Sequence, residues 1–439
     1  MTKLLQRLQE EKTLKTIFFS LAALTLVTPL VVTNQVFYVF TFPRTTAFLF
    51  LVQLMLLVSL VLWWGNPLLR PNRKNPILLT ATVFLLVLVV TSLLGVDPVR
   101  SFWSTTNRVT GLLHYGHLWL FVVMLASNLR AKKDWMRLFD ISILVSTVIA
   151  IFALFEFSVA TGFTRPFSTL GNPLFLSSYL LLNVFLALHA LFVREGRDRL
   201  WYVGALLVQL LAFVMAFSRG AIVGFIVALV FFLVMATVWS KQKKRRRMLI
   251  ELMAVFLGVL VVGFFWSNSD AGRTYIEENA PRVAYRLVSA DVGEDRMAIW
   301  SVATDAFVDR PVAGWGIENF ETAFNTHADF TGDQSFLKER WYDRAHNQYL
   351  EILVTSGAVG MIAYLALIAS IGFMLFKKMR ATEGAERLSY LALASLLVAH
   401  GVQQTFSFDL PSSMVVLAAV IAFIAHDARA TATMHDRIP

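Results

Sequence analysis

The stretch Arg344-Ala345-His346-Asn347-Gln348-Tyr349-Leu350-Glu351 opens a run that stays mostly apolar to residue 376, and it closes the only long polar interruption of the chain. Its reading decides the fold, because an apolar run of about 20 residues or more is long enough to re-enter a lipid bilayer as a helix. The rest of the chain agrees. Of its 439 residues 57% are hydrophobic and only 15% are charged, a usage far from that of a soluble globule. Twelve apolar runs can span a membrane, at 16–39, 44–64, 77–95, 111–128, 137–159, 174–193, 199–217, 220–239, 248–266, 347–376, 386–408 and 411–428. The expected fold class is an all-α integral membrane protein with about twelve transmembrane helices and one large extracytoplasmic helical loop. Residues 1–267 would carry helices one to nine, 268–346 the loop domain, and 347–439 helices ten to twelve with a cytoplasmic tail. The first apolar run is too long for a signal-peptide core and no small-residue cleavage pattern follows it, so it is expected to be retained. Residues 1–15 are expected to lie along the cytoplasmic surface.

Cytoplasmic loops are enriched in Lys and Arg. With the N-terminus inside, the cytoplasmic segments hold 26 basic residues, against Arg44, Arg100, Arg108, Arg165 and Arg219 in the short outer loops. Both termini are therefore expected in the cytoplasm and 268–346 outside. That loop has 14 Asp and Glu against 8 Lys and Arg, while the chain as a whole is +10. The basic balance thus reports topology. The run Lys241 to Arg247 reads as a cytoplasmic loop, and nucleic acid is not an expected partner.

With no cysteine, disulfides, thiolate nucleophiles and Cys-type metal sites are excluded. His114 and His117 lie three apart in an apolar run without neighbouring carboxylates, which argues against a metal. No metal or cofactor is expected. The chain has no Gly-rich phosphate loop, Walker pattern or Gly-x-Ser-x-Gly elbow, so nucleotide hydrolysis and serine-hydrolase chemistry lack support. Any energy would have to come with the substrate.

The 268–346 segment is too long for a mere connector. Trp300, Ala303 and Phe307 recur at helical spacing, so one face can pack on the membrane domain. Pro311 to Gly316 then breaks the helix, Glu318-Asn319-Phe320 starts another segment, and a polar linker at 329–335 leads to Trp341. Three basic groups converge by topology at the outer face: Arg219 in the Ser218-Arg219-Gly220 turn, Arg296 in the loop, and His346 at the start of span ten. Arg219 and His346 stand near helix N-termini, which favour anions and disfavour imidazolium. Together they suggest an anion clamp beside a neutral base. Taken singly, Arg219 reads as a snorkelling interface residue, Arg296 as the partner of a nearby carboxylate, and His346 as a helix-start hydrogen-bonding residue. Trp300 and Trp315 read as packing anchors, with sugar stacking the alternative. Glu156, Gln403, Gln404 and Asp409 are polar groups in costly surroundings and hence further candidates.

The motifs Asp295-Arg296-Met297-Ala298-Ile299-Trp300, Asp309 to Phe320, His346-Asn347-Gln348-Tyr349-Leu350-Glu351-Ile352 and Ser356-Gly357-Ala358-Val359-Gly360 follow one another in order. This succession resembles the conserved block of the O-antigen ligase and polymerase superfamily. Phe217-Ser218-Arg219-Gly220-Ala221 resembles its Ser-Arg-Gly turn, with weaker echoes in Ser101-Phe102-Trp103, Arg108, Gly111 and Gly171-Asn172-Pro173. The resemblance implies a metal-independent, inverting membrane glycosyltransferase of the GT-C type in the bacterial inner membrane. Its donor would be a glycan on undecaprenyl pyrophosphate and its acceptor a hydroxyl, lipid A-core first, or another glycan or a protein. Membrane lipid is the remaining partner. By the same resemblance His346 is the catalytic base, and Arg219 and Arg296 hold the donor pyrophosphate. Arg108, Asn172, Trp300, Trp315, Asn347 and Tyr349 are supporting candidates. Asp295 stands where the family has glycine and could compete for Arg296. O-antigen polymerase and protein O-oligosaccharyltransferase are the alternatives within the superfamily. A transporter of a small anion or lipid-linked phosphate is the alternative outside it.

Overall fold

The computed structural model describes residues 2–159, 165–279, 291–329 and 342–426. All regular structure among them is helical. In chain order the helices are α1 Thr2–Val27, α2 Thr41–Gly65, α3 Pro76–Leu93, α4 Pro98–Trp103, α5 Leu112–Asn128, α6 Lys132–Val159, α7 Pro173–Val193 and α8 Asp198–Ala216. They continue with α9 Arg219–Val238, α10 Lys243–Asn268, α11 Asp270–Asn279, α12 Asp291–Asp309, α13 Phe320–His327, α14 Gln348–Ala381, α15 Gly384–Gln404 and α16 Pro411–Ala425.

Each of the twelve expected runs coincides with a helix. Among the described residues nine helices are long and apolar enough to cross a membrane unaided, while α5 and α16 are shorter apolar helices of 17 and 15 residues. The first run is corrected at both ends. Helix α1 already begins at Thr2, so residues up to 15 continue the helix and form no separate surface segment, and it ends at Val27. The end follows from Pro29, since the residue before a proline is pushed out of the helical region and proline itself cannot donate to the ladder.

Large aromatic side chains fill the core: Phe18, Phe48, Phe121, Trp135, Phe139, Tyr179 and Phe185 are all essentially inaccessible. Where α15 crosses α9, the backbones meet. A Cβ on Gly224 would lie 2.6 Å from the Ala399 carbonyl oxygen, the close approach that small residues permit between membrane helices.

Helix α14 is broken at Gly357, whose φ of 64° and ψ of −170° lie outside the helical range. A break inside a helix strands carbonyl and N–H groups, which must find partners in an apolar setting. The loop at 311–316 supplies them. Trp315 N–H donates to the Val354 carbonyl at 3.0 Å and Gly316 N–H to that of Thr355 at 2.7 Å, while Ala358 N–H donates to the Pro311 carbonyl at 2.8 Å. The expected break after α12 is thus a docking element. A Cβ at 357 would sit 2.1 Å from the Val312 oxygen, so only glycine fits both the angle and the space.

Between α12 and α14 the buried face of the loop is Ile299, Val302, Ala303 and Ala306, packed with Trp315, Phe320, Phe324 and Val354. Trp300 and Phe307, the positions read from the sequence, are only half-buried at its margin. Trp341 and residues 330–335 lie outside the described residues. The loop also fastens to the C-terminal end of α3 and to α4. Val96 N–H donates to the Trp315 carbonyl at 3.0 Å, the Ser101 hydroxyl to that of Ile317 at 2.8 Å, and Arg100 pairs with Glu321. One end of the bundle therefore gathers the N-termini of α5, α9, α14 and α16.

Candidate active site

His346 stands two residues before α14, half-buried, with a φ of 51°. Positive φ is costly for a residue with a Cβ. Five more such residues occur at this end, Ser104, Val109, Ser168, Phe217 and Glu318. Strain of this kind persists only where the surroundings enforce it. Here they do so through Arg344, which is buried and whose guanidinium donates to Glu351 at 3.1 Å, to Thr110 at 2.9 Å and to Glu318. Glu351 also accepts the Ala345 N–H at 2.8 Å, and Glu318 accepts the Thr110 and Ser104 hydroxyls at 2.9 and 2.7 Å. Both carboxylates hold the Arg344 charge far above the point of deprotonation despite burial. On either side of His346 the chain is therefore clamped, by Ala345 before it and by Asn347 after it.

Asn347 caps α14, its side chain accepting from Tyr349 N–H at 3.0 Å and Leu350 N–H at 3.3 Å. Trp300 donates its indole N–H to the Ala345 carbonyl at 3.1 Å and so fastens α12 to the same segment. The Tyr349 hydroxyl donates to the Gly401 carbonyl at 2.8 Å.

The imidazole Nδ1 of His346 lies 3.1 Å from the Arg344 carbonyl oxygen. A carbonyl only accepts, so Nδ1 carries the proton and Nε2 presents its lone pair. The ring meets Phe408 edge-on at 5.4 Å, and the other side of the site is Arg108, 4.9 Å above the same phenyl ring. Arg108 grips Asp343 with two hydrogen bonds of 2.6 and 2.9 Å. Burial raises the Asp343 carboxyl, but the paired bonds and charge of Arg108, with the charges of Arg344 and His346, hold it below the usual carboxylate range. His346 is held below the usual imidazole value chiefly by burial. Arg296 and Arg108 push the same way, and the Arg344 carbonyl and Asp343 oppose them. The ring is neutral at pH 7.

Arg296 is the sixth residue of α12 and Arg219 the first of α9. Arg296 is half-buried, and its guanidinium is depressed by burial and then by the Arg219 charge. Arg296 thus acts electrostatically on His346, and Arg219 on Arg296. The three groups read from the sequence are thus linked electrostatically, Arg219 to Arg296 and Arg296 to His346. The Asp295 side chain, the suspected competitor, lies outside the described ones.

Other candidates take structural positions. Asn172 caps α7, accepting from Leu174 N–H at 2.8 Å. Trp315 is buried and donates to the Ala306 carbonyl at 2.8 Å. Glu156 accepts from Phe167 and Ser168 N–H at 3.0 and 2.7 Å and pins that loop. Asp409, whose carboxyl burial pushes up to about 6, accepts from Gln404 and Tyr115, and its N–H donates to Gln348 at 2.9 Å. Gln403 donates to Ser178. Glu318, Asp343, Arg344 and Glu351 escaped the sequence reading as site residues. Their signal was acidic and basic residues flanking the His346 motif, which stays mute until their partners are known.

The family model described as O-Antigen ligase matches residues 204–365. That segment contains Arg219, Arg296 and His346 together, while Arg108 and Asp409 lie outside it. A general O-oligosaccharyltransferase of Acinetobacter baylyi is 26% identical over 300 residues, 66% of this chain and 47% of the relative. The chain thus spans about half the length of the curated relative it matches. The ordered motifs and these two matches make the chain similar to the O-antigen ligase superfamily.

Proposed function

We propose that the protein moves a glycan from undecaprenyl pyrophosphate to an acceptor hydroxyl at the outer face of the bacterial inner membrane, without a metal and with inversion at the anomeric carbon. The observation that carries this reading is the His346 ring. Its Nδ1 is committed to a carbonyl and its Nε2 makes no hydrogen bond to a described residue, within the field of Arg296, itself beside Arg219. Nε2 takes the hydroxyl proton as the acceptor oxygen attacks the anomeric carbon. Arg219 and Arg296 receive the departing pyrophosphate through paired charge-assisted hydrogen bonds and stabilise the charge that grows on it. A neutral imidazole is the form a general base requires.

The orientation rests on the 26 basic residues assigned to cytoplasmic segments. It puts both termini inside and α11 to α13, within 268–346, outside, with 1–267 and 347–439 as the flanking membrane parts. Lipid A-core is the first acceptor, in keeping with the ligase family. The name of the Acinetobacter relative favours a second reading, a protein hydroxyl. An anion transporter would need cations along its path, and the apolar cavity below the site is lined by none.

The test is transfer in proteoliposomes without divalent metal, from an undecaprenyl-pyrophosphate oligosaccharide to lipid A-core, glycan and protein acceptors. His346→Ala should fold and slow transfer by about 10²–10⁴-fold. A folded His346→Ala protein with undiminished rate refutes the base.

A further inference from the structure

Among the described residues the His346 ring makes one hydrogen bond, from Nδ1 to the Arg344 carbonyl two residues earlier. A single bond to so near a neighbour fixes one ring atom, and leaves χ1 and the broad χ2 of the imidazole free to redirect Nε2. The second contact comes from much later in the chain. Phe408, buried, meets the imidazole with ring centroids 5.4 Å apart and planes at 88°, inside the range of edge-to-face aromatic pairs. It belongs to the loop 405–410 between α15 and α16, beyond the segment 204–365 that matches the ligase family model. The polar residues around it, Gln403, Gln404 and Asp409, were visible as candidates in the sequence; the phenylalanine was not. We propose that Phe408 is a positioning residue of the reaction, its ring acting as the stop that holds the His346 imidazole with Nε2 facing the acceptor oxygen. This role rests on the glycosyltransfer reading above and adds what aims the base.

A stop must itself be fixed, and contacts on several elements fix this one. The Arg108 guanidinium, gripped by Asp343, lies 4.9 Å above the phenyl ring. Phe175 of α7 meets the ring edge-on at 6.3 Å. The next residue, Asp409, donates its N–H at 2.9 Å to the side chain of Gln348, the first residue of α14 and two after His346. The Asp409 carboxylate accepts from Gln404 of α15 and, at 3.3 Å, from the Tyr115 hydroxyl of α5. A ring tied in this way does not follow the imidazole when the imidazole swings. The same loop also reaches the proposed leaving-group side. A Cβ on Gly220 would lie 2.7 Å from the Phe406 Cβ, so the backbone beside Arg219 rests on Phe406. One short loop thus touches both the base and the turn that carries Arg219, which is what setting their separation requires.

Leucine at this position keeps an apolar, branched side chain and loses the flat ring, while methionine keeps the length and gains rotatable bonds. Neither change alters Arg219, Arg296 or the pairing of Arg108 with Asp343. Displacement of a reacting group by about 1 Å costs about 10²-fold, and an imidazole that spends part of its time in the original heading loses less. Both variants should therefore lose about 10–100-fold in kcat with donor KM unchanged. A ring that instead stacked on a sugar of the donor would show the opposite split, in KM.

The test combines transfer with magnetic resonance of the full chain in detergent, for the wild type, Phe408→Leu and Phe408→Met, each carrying isotope-labelled histidine. The His346 signals are assigned by their loss in His346→Ala. In the wild type the His346 ring protons should be displaced by the phenyl ring current, and the nitrogens should show a protonated Nδ1 and a bare Nε2. The displacement should vanish in both variants, and transfer from the undecaprenyl-pyrophosphate oligosaccharide should show the kcat loss above. A folded variant with full kcat, or His346 protons that neither substitution moves, overturns the proposal. A raised donor KM with kcat unchanged makes Phe408 a substrate contact and also overturns it. The wild-type displacement needs no variant, so undisplaced His346 protons overturn the proposal even where a substitution unfolds the chain. Should the wild type transfer to no acceptor, the glycosyltransfer reading falls, and the resonances alone decide whether Phe408 aims the ring.

Discussion

Replacing Arg344 by Met removes the cation that pairs with both Glu318 and Glu351. Arg344, Glu318 and Glu351 are 7%, 4% and 5% exposed, so water cannot screen what remains. Glu318 would keep its two hydroxyl donors and Glu351 its backbone N–H, but two negative charges would face each other without compensation. Breaking a buried ion pair costs about 3–5 kcal/mol, and the upper half is expected because two carboxylates are stranded. Thermal melts followed by size-exclusion fluorescence in detergent should show Arg344→Met with a sharply lowered midpoint. Adding Glu318→Gln and Glu351→Gln removes both charges and should restore most of the loss, since neutral replacements of buried ion networks are often tolerated. Turnover should not return with stability. The peptide carbonyl of residue 344 orients the His346 ring, and without the guanidinium that peptide keeps only the Ala345 N–H bond to residue 351 and loses its tie to Glu318. Misplacement of the base by even about 1 Å costs about 10²-fold, so the triple variant should show a kcat lower by about 10–100-fold with donor KM unchanged. A single variant as stable as wild type would refute the buried network, and a triple variant with full kcat would refute its positioning role.

Because His346 titrates below the usual 6.5, kcat/KM should fall only below pH 6.5 and be flat from 7 upward, as the neutral base is already fully present there. Asp343 favours the imidazolium, so Asp343→Asn should move that acid limb to lower pH; a limb that moves up contradicts the assignment. Gly357→Ala combines a positive φ with a Cβ 2.1 Å from the Val312 oxygen, and should cost at least about 1–3 kcal/mol in melts, while Gly65→Ala, with open space around it, should be silent. Asn172→Ser preserves a capping oxygen and should keep both stability and transfer, whereas Asn172→Ala should lose about 1 kcal/mol and no specificity; transfer lost in the Ser variant would make Asn172 a substrate contact.

The spans, the Ser218-Arg219-Gly220 turn and the helix broken at Pro311 were legible because hydropathy and local turn chemistry write them over a few residues. The first span was misjudged at Val27, where hydropathy continues past Thr28-Pro29 but the backbone cannot. The pairings were not legible. Arg108 meets Asp343 across 235 positions and Arg344 meets Thr110 across 234, and no periodicity reports a contact of that range. The Gly357 break is a similar case. Its glycine is visible in the sequence, but only the loop at 311–316 supplies partners for the peptide groups the break strands, and that loop lies some forty residues earlier. Asn172 and Asn347 are the opposite case. Their capping role is local, one of them directly before proline, yet the motif context drew them toward the site.

The charges at this end of the bundle divide into two kinds, and the division bears on how the proposed reaction would be driven. Arg100, Arg108 and Arg344 are matched to Glu321, Asp343 and the Glu318 and Glu351 pair, so they hold the loop, the 104–110 turn and the His346 segment in place. Arg219, at the start of α9, and Arg296, in α12, lie within electrostatic reach of each other, and the Arg296 guanidinium, depressed first by burial, is depressed further by the Arg219 charge. A pyrophosphate between them would relieve the repulsion, and relieve it more as the glycosidic bond lengthens and charge accumulates on the leaving oxygen. Interactions that strengthen along the reaction accelerate it, whereas equal grip on substrate and transition state would not. Of the two, Arg296 also adds to the burial that keeps the neighbouring imidazole neutral, so one cation would both stabilise the leaving group and help keep the base ready to accept a proton.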